Sequence, residues 1–68
     1  MFTIERLTDR GWIHTEEHED EQLAQLKATL KSQADGMTYR VTSPDLETLC
    51  VVTSQGSRCW HLNEPQAA

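Results

Sequence analysis

The sequence predicts a two-layer α+β domain, in which one amphipathic helix packs on an antiparallel sheet of four or five strands. Three observations support this fold class. Residues 2–7 alternate apolar and polar side chains, leucines recur at helical spacing in the middle of the chain, and three strand-like runs follow Gly36. The predicted element order is therefore ββαβββ.

The first two strands are predicted to form a hairpin. Alternation over residues 2–7 gives way to Thr-Asp-Arg-Gly, and extended character resumes at Trp12. Gly11 stands at the end of a three-residue loop, where a positive φ is common. We expect Trp12 and Trp60 to be core residues.

A helix is predicted next. Leu23, Leu26 and Leu30 follow the i, i+3, i+7 pattern of an amphipathic helix, and an alanine continues the stripe. With Thr15 as N-cap and Gly36 as C′ residue, the helix covers roughly residues 16–34, about 28 Å at 1.5 Å per residue. We expect the leucines to face the core, because the sheet has nothing else to pack on.

Three further strands are predicted over residues 37–43, 48–54 and 57–63. Turn-forming residues separate them at Pro44 and at Gln55-Gly56. A two-residue turn at Gln55-Gly56 places Val51 opposite Trp60 and leaves the two cysteines diagonal to each other. The domain is predicted to span residues 1–63, with a frayed tail over residues 64–68.

The length of the loop around Pro44 decides which side chains share a face of the sheet. An odd loop, which we favour, collects the larger side chains on the core face: Tyr39, Val41, Leu49, Val51, Trp60 and Leu62. An even loop places Tyr39 and Val41 with the cysteines instead. It leaves an apolar patch opposite the helix, which would mark a partner or dimer surface.

Length and composition exclude several classes of protein. A chain of 68 residues forms one domain with a thin core. It contains no apolar run near the ~20 residues of a membrane span. Its first residues lack the features of a signal peptide. Two cysteines make no disulfide framework, so the expected location is the cytoplasm.

Five acidic residues lie within the short segment 16–21. These are Glu16, Glu17, Glu19, Asp20 and Glu21. The chain has 11 acidic and 6 basic residues, so removing these five leaves 6 of each sign. Carboxylates stabilise the first turn of a helix through its dipole, but two or three are enough. We interpret the surplus as a partner-binding surface that steers a basic partner.

Cys50, Cys59 and His61 are the candidate metal ligands or thiol residues. Their spacing lacks the Cys-x-x-Cys knuckle of common zinc sites, so we expect semi-buried free thiols and no cofactor. A Cys59–His61 nucleophile pair would lack an orienting third group. Direct nucleic-acid binding is disfavoured, because the six basic residues are scattered and outnumbered.

A resemblance in layout adds to this interpretation. The Gly11-Trp12 pair, the acidic-headed helix and the Tyr39-Arg40-Val41 run together resemble the compact orphan proteins of phages and prophages. Anti-CRISPR proteins and other inhibitors of host machinery belong to this class. The resemblance implies a small, acidic α+β inhibitor and assigns no functional residue.

We therefore expect a non-enzymatic protein-binding module, an inhibitor or adaptor. Its acidic helix end would meet the basic, nucleic-acid-binding site of a partner protein. Two alternatives stay open. One is a metal-binding or thiol-dependent protein built on Cys50, Cys59 and His61. The other is a homodimer joined through a strand edge.

Overall fold

A computed structural model describes residues 1–59 of the chain. Its elements are β1 (Phe2–Thr8), β2 (Gly11–His18), α1 (Glu21–Asp35), β3 (Tyr39–Thr42), β4 (Thr48–Thr53) and β5 (Gly56–Cys59). The five strands form one antiparallel sheet in the order β2-β1-β3-β4-β5, with α1 packed on it. The predicted α+β class and ββαβββ order are confirmed. The predictions for Trp60, His61, Leu62 and the tail over residues 64–68 fall outside the described residues.

β2 is longer than predicted and displaces the start of the helix. The strand pairs with β1 as far as Phe2 opposite His18. Thr15 is therefore not an N-cap. It lies at a bulge within β2, and its hydroxyl donates a hydrogen bond to the Ile4 carbonyl at 2.9 Å. An extended strand cannot be helical, so the predicted helix over residues 16–34 is corrected to Glu21–Asp35.

Two caps set the limits of α1. Asp20 has extended backbone angles, and its side chain accepts a hydrogen bond from the Gln22 N–H at 3.1 Å. At the other end Gly36 has φ 74°, and its N–H donates to the Ser32 carbonyl. Glycine adopts this left-handed conformation without the steric cost of a Cβ. The predicted C′ role of Gly36 is confirmed, whereas the N-cap is Asp20.

The helix faces the sheet with small side chains. Ala24, Ala28 and Ser32 are fully buried, while the three leucines are 40–54% exposed. The prediction that Leu23, Leu26 and Leu30 form the core is therefore wrong. The large core side chains come from the strands, and alanines let the helix approach them closely. The core consists of Ile4, Ala24, Ala28, Tyr39, Val41, Leu49, Cys50 and Val52, with Phe2 packed against it.

Polar contacts fix the rotation of α1 about its own axis. The Ser32 hydroxyl donates to the Met37 carbonyl at 2.7 Å, and the Tyr39 hydroxyl donates to Asp35 at 2.5 Å. Lys31 forms an ion pair with a carboxylate of β2. Burial, and then the contact with Asp35, raise the pKa of Tyr39, and the same hydrogen bond lowers the pKa of Asp35. These contacts turn the leucines away from the sheet.

A bulge reverses the predicted register of β3 and β4. Thr42 pairs with Thr48, so the loop holds five residues and is odd, as we favoured. The register then shifts by one residue, and Val41 pairs with Cys50 rather than with Leu49. Tyr39 and Val41 therefore share the core face with the cysteine, which is the arrangement expected for an even loop.

The β4–β5 turn also differs from its prediction. Thr53 pairs with Gly56, so Ser54 and Gln55 form the turn and Gly56 begins β5 with φ 150°. This places Cys50 directly opposite Cys59, and the two form a disulfide. The expectation of two free thiols is therefore wrong. The cytoplasmic location, expected because two cysteines make no disulfide framework, stays a prediction.

Candidate protein-binding surface

The acidic residues of segment 16–21 do not lie on one helix end. Glu16 and Glu17 belong to β2, the next acids form the connection, and Glu21 begins α1. Along a strand, successive side chains point to opposite faces of the sheet. Glu16 lies on the helix side, where it contacts Lys31, and Glu17 lies on the other face. The predicted acidic helix end is thus distributed over two elements and a turn.

Glu16 joins β2 to α1. Its carboxylate accepts a hydrogen bond from His18 Nε2 at 2.6 Å and pairs with Lys31 Nζ at 3.0 Å. The contact with His18, followed by the contact with Lys31, lowers the pKa of Glu16. About a third of each side chain of the Glu16–Lys31 pair remains exposed. Glu16 therefore links β2 to α1, and its predicted role in partner binding stays a prediction.

The remaining acids fall into two groups. Asp20 caps the helix, and Glu21 accepts a hydrogen bond from the Gln25 side chain at 3.1 Å. Glu17 and Glu19 are exposed, and Glu17 contacts His14 at 3.3 Å. The exposed acids that do not cap the helix are therefore Glu17 and Glu19.

The leucine stripe, defined as Leu23, Leu26 and Leu30, occupies the outer face of α1. Leu26 is two residues from both Ala24 and Ala28, which is about 200° around a helix of 3.6 residues per turn. The three leucines are 40%, 54% and 51% exposed, respectively. α1 is consequently apolar on two opposite faces. One face packs on the sheet, and the other lies open to solvent.

The borders of the leucine stripe are polar and unequal. At 100° per residue, Lys27 and Lys31 lie along one side of the stripe, while uncharged Gln22, Thr29 and Gln33 line the other side. The acids of the helix start lie at one end. A polar border around an exposed apolar patch is typical of protein-interaction sites. The sequence pattern located these leucines correctly on one face, but it could not show which face is buried.

The sheet face opposite α1 carries a second cluster that sequence reasoning missed. The Arg40 guanidinium lies over the Trp12 ring at 4.3 Å from the ring centre, and its Nε donates to Glu5 at 2.7 Å. Trp12 is half-buried here rather than in the core. Strand alternation in the hairpin places Glu5 and Trp12 on one face, but Arg40 joins them only through the β1–β3 register, which the sequence does not reveal.

Neither the metal site nor the nucleophile pair gains support from the described residues. Cys50 and Cys59 are bonded to each other, so neither sulfur is a thiolate ligand. His61 falls outside residues 1–59. Within those residues, no group of three or more His, Cys, Asp or Glu side chains could hold a metal ion. A shallow cavity of about 460 Å³ lies over the β4–β5 hairpin, with Arg58 as its charged residue.

The outer edge of β2 bears on the predicted strand-edge homodimer. This edge strand contains the Thr15 bulge and carries Glu16 and Glu17. Bulges and charges are features by which proteins keep exposed edges from pairing. The strand-edge homodimer stays a prediction that this edge does not favour.

No protein-family model, curated protein or solved structure matches the chain. In the part of the chain that the structure describes, no helix has both the length and the apolar character needed to cross a membrane.

Proposed function

We propose that this domain is a non-enzymatic protein-binding module that docks through the leucine stripe of α1. The observation that carries the proposal is the exposure of Leu23, Leu26 and Leu30 on a helix whose opposite face is already buried. Leucines at i, i+3 and i+7 are the anchors of helix-in-groove recognition. The partner is therefore a protein with an apolar groove that accepts one face of a helix.

Charge completes the description of the partner. The chain carries a net charge of −5, and exposed Glu17 and Glu19 lie near the start of α1. A basic rim where the groove receives this end of the helix would complement them and speed association at low salt. Most of the binding free energy would come from the leucines, because exposed ion pairs contribute little.

More specifically, the basic rim of the partner's groove would belong to a nucleic-acid-binding site. The domain would then act as an inhibitor or adaptor of phage type, in which carboxylates occupy positions otherwise taken by phosphates. The layout of the chain, with its acidic segment beside an open helix face, supports this form. Glu16 and Asp20 take no part in it, since both stabilise the fold.

The test is affinity capture from host lysate with three versions of the oxidised protein. Leu26→Lys places a charge within the leucine stripe, and Leu46→Lys is the matched control, because Leu46 is 85% exposed at a loop distant in sequence from α1. We expect a partner that wild type and Leu46→Lys retain and Leu26→Lys loses. Equal capture by all three, or no capture by any, would contradict the proposal.

A fourth version tests the role of charge. Glu17→Gln combined with Glu19→Gln leaves the helix cap and the Glu16 link intact. We expect this variant to bind the same partner more slowly at low salt and at an unchanged rate at high salt. Association rates that respond to salt identically in the variant and in wild type would contradict the basic rim.

A further inference from the structure

β5 is the least protected strand of the described sheet. Among the described residues it is an edge strand that pairs with β4 alone, and residues Gly56–Cys59 are all exposed. The Thr53 side chain makes two contacts in the hairpin turn: its hydroxyl donates to the Gly56 carbonyl at 3.1 Å and accepts from the Gln55 N–H at 3.2 Å. An edge strand has a hydrogen-bonded neighbour on one side only, so a further restraint would stabilise its position.

The disulfide supplies that additional restraint. It joins Cys50 of β4 to Cys59 at the end of β5, directly opposite in the ladder. Cys50 is fully buried within the core cluster, whereas Cys59 is exposed. One end of the covalent link is thus anchored among core residues, and the other end is open to reagents in solution.

We propose that the Cys50–Cys59 disulfide is a redox latch on β5. A dithiol reductant opens it, releases β5 from the sheet and uncovers the outer edge of β4 (Thr48–Thr53). The domain then has a four-stranded sheet with β4 at its edge.

The chemistry is ordinary thiol–disulfide exchange. A thiolate of the reductant attacks the Sγ of Cys59, the exposed residue of the pair, forming a mixed disulfide and breaking the Sγ–Sγ bond. The bonding pair passes to Cys50 Sγ, which takes up a proton and becomes a buried thiol. The second thiol of the reductant then attacks its own mixed-disulfide sulfur and releases Cys59 as a thiol. Two electrons and two protons pass to the protein, and the reductant becomes a cyclic disulfide.

The reduced protein can keep its core. A buried thiol behaves as a small apolar side chain, so Cys50 remains compatible with its surroundings. The bond spans nine residues along the chain. Cross-linking a loop of this size changes an opening equilibrium by about a hundredfold. Opening of β5 should therefore become about a hundred times more frequent on reduction, while the other strands stay closed.

Amide hydrogen exchange with and without a dithiol tests the latch. We expect amides of β5, and the β4 amides paired to it, to exchange about a hundredfold faster after reduction. Amides of β1 and β3 should change little and serve as the internal control. Unchanged exchange in β5 would overturn the proposal, as would an equal acceleration in all strands, which would indicate global destabilisation.

Cys59→Ser provides a second, independent measurement. Because Cys59 is exposed, the substitution leaves the core intact. Its β5 amides should exchange at the rate of reduced wild type and should not respond to the reductant. A variant whose β5 exchanges as slowly as that of oxidised wild type would show that the disulfide is not what holds the strand.

Discussion

Two separate substitutions, Leu26→Ala and Ala28→Leu, test the orientation of α1. The first shortens a side chain on the exposed face, and the second enlarges one on the buried face. Leu26 is 54% exposed, so less than half of its side chain is covered. Full burial of a leucine contributes about 1.5–3 kcal/mol, and the covered part therefore contributes about 1 kcal/mol. The higher helix propensity of alanine offsets a few tenths of this. We expect Leu26→Ala to cost less than about 1 kcal/mol.

Ala28→Leu should cost more, although it adds an apolar side chain. Ala28 is fully buried between helix and sheet, and extra methylene groups in a packed site cost about 1–3 kcal/mol. Urea unfolding of the oxidised proteins, monitored by circular dichroism, measures both changes in the free energy of unfolding. A loss of about 3 kcal/mol or more for Leu26→Ala, with Ala28→Leu neutral, would contradict this orientation of α1, because a truncated core leucine behaves in that way.

Three further changes test the caps, the loop and the link between the layers. Asp20→Ala removes the N-cap of α1 and should lower the free energy of unfolding by about 1 kcal/mol. The control Glu19→Ala should leave it unchanged, and equal losses in both variants would contradict the capping role of Asp20. Leu46 has φ 68°, a left-handed conformation that asparagine adopts more easily than leucine. Leu46→Asn should therefore raise the melting temperature, with a gain in stability of about 1 kcal/mol. Leu46→Ala keeps the backbone strain and should not raise the melting temperature. Glu16 has a pKa held below its ordinary 4.5, so its stabilising contribution is full at neutral pH and is lost as the pH falls through the lowered value. Wild type should therefore lose its advantage over Glu16→Gln in urea unfolding on the acid side, and a difference that stays constant to about pH 3 would contradict this.

The fold class was predictable because hydrophobic period identifies elements reliably. The helix period, the hairpin glycine Gly11 and the C′ glycine Gly36 are local signals, and local geometry fixes each of them. The orientation of α1 was not predictable in this way. Its sequence is apolar on two faces, and the contacts of Ser32 and Asp35 with the segment leading into β3 decide between them.

The errors in register have a similar origin. The loop after β3 has the favoured odd length, but one bulge residue in β4 reverses the parity of every pair beyond it. The β4–β5 turn lies one residue earlier than predicted, and that change brings two cysteines from a diagonal to a directly opposite position. The acidic segment was likewise misplaced because β2 continues to His18, which pairs with Phe2 at the far end of the hairpin. Nonlocal pairing of this kind leaves no mark in a local window of sequence.

The β1–β3 pairing has a consequence for how the chain reaches its fold. The β1–β2 and β4–β5 ladders join segments that are neighbours in the sequence. β1 and β3 are far apart in the sequence, since Thr3 pairs with Thr42. Closing that long loop costs chain entropy before any contact compensates for it, so we expect the β1–β3 pairing to limit the folding rate. Substitutions at Ile4 or Val41, which face each other there, should slow folding, while changes in β5 should mainly speed unfolding. We therefore expect different strands of one sheet to control the speed of folding and the lifetime of the folded state.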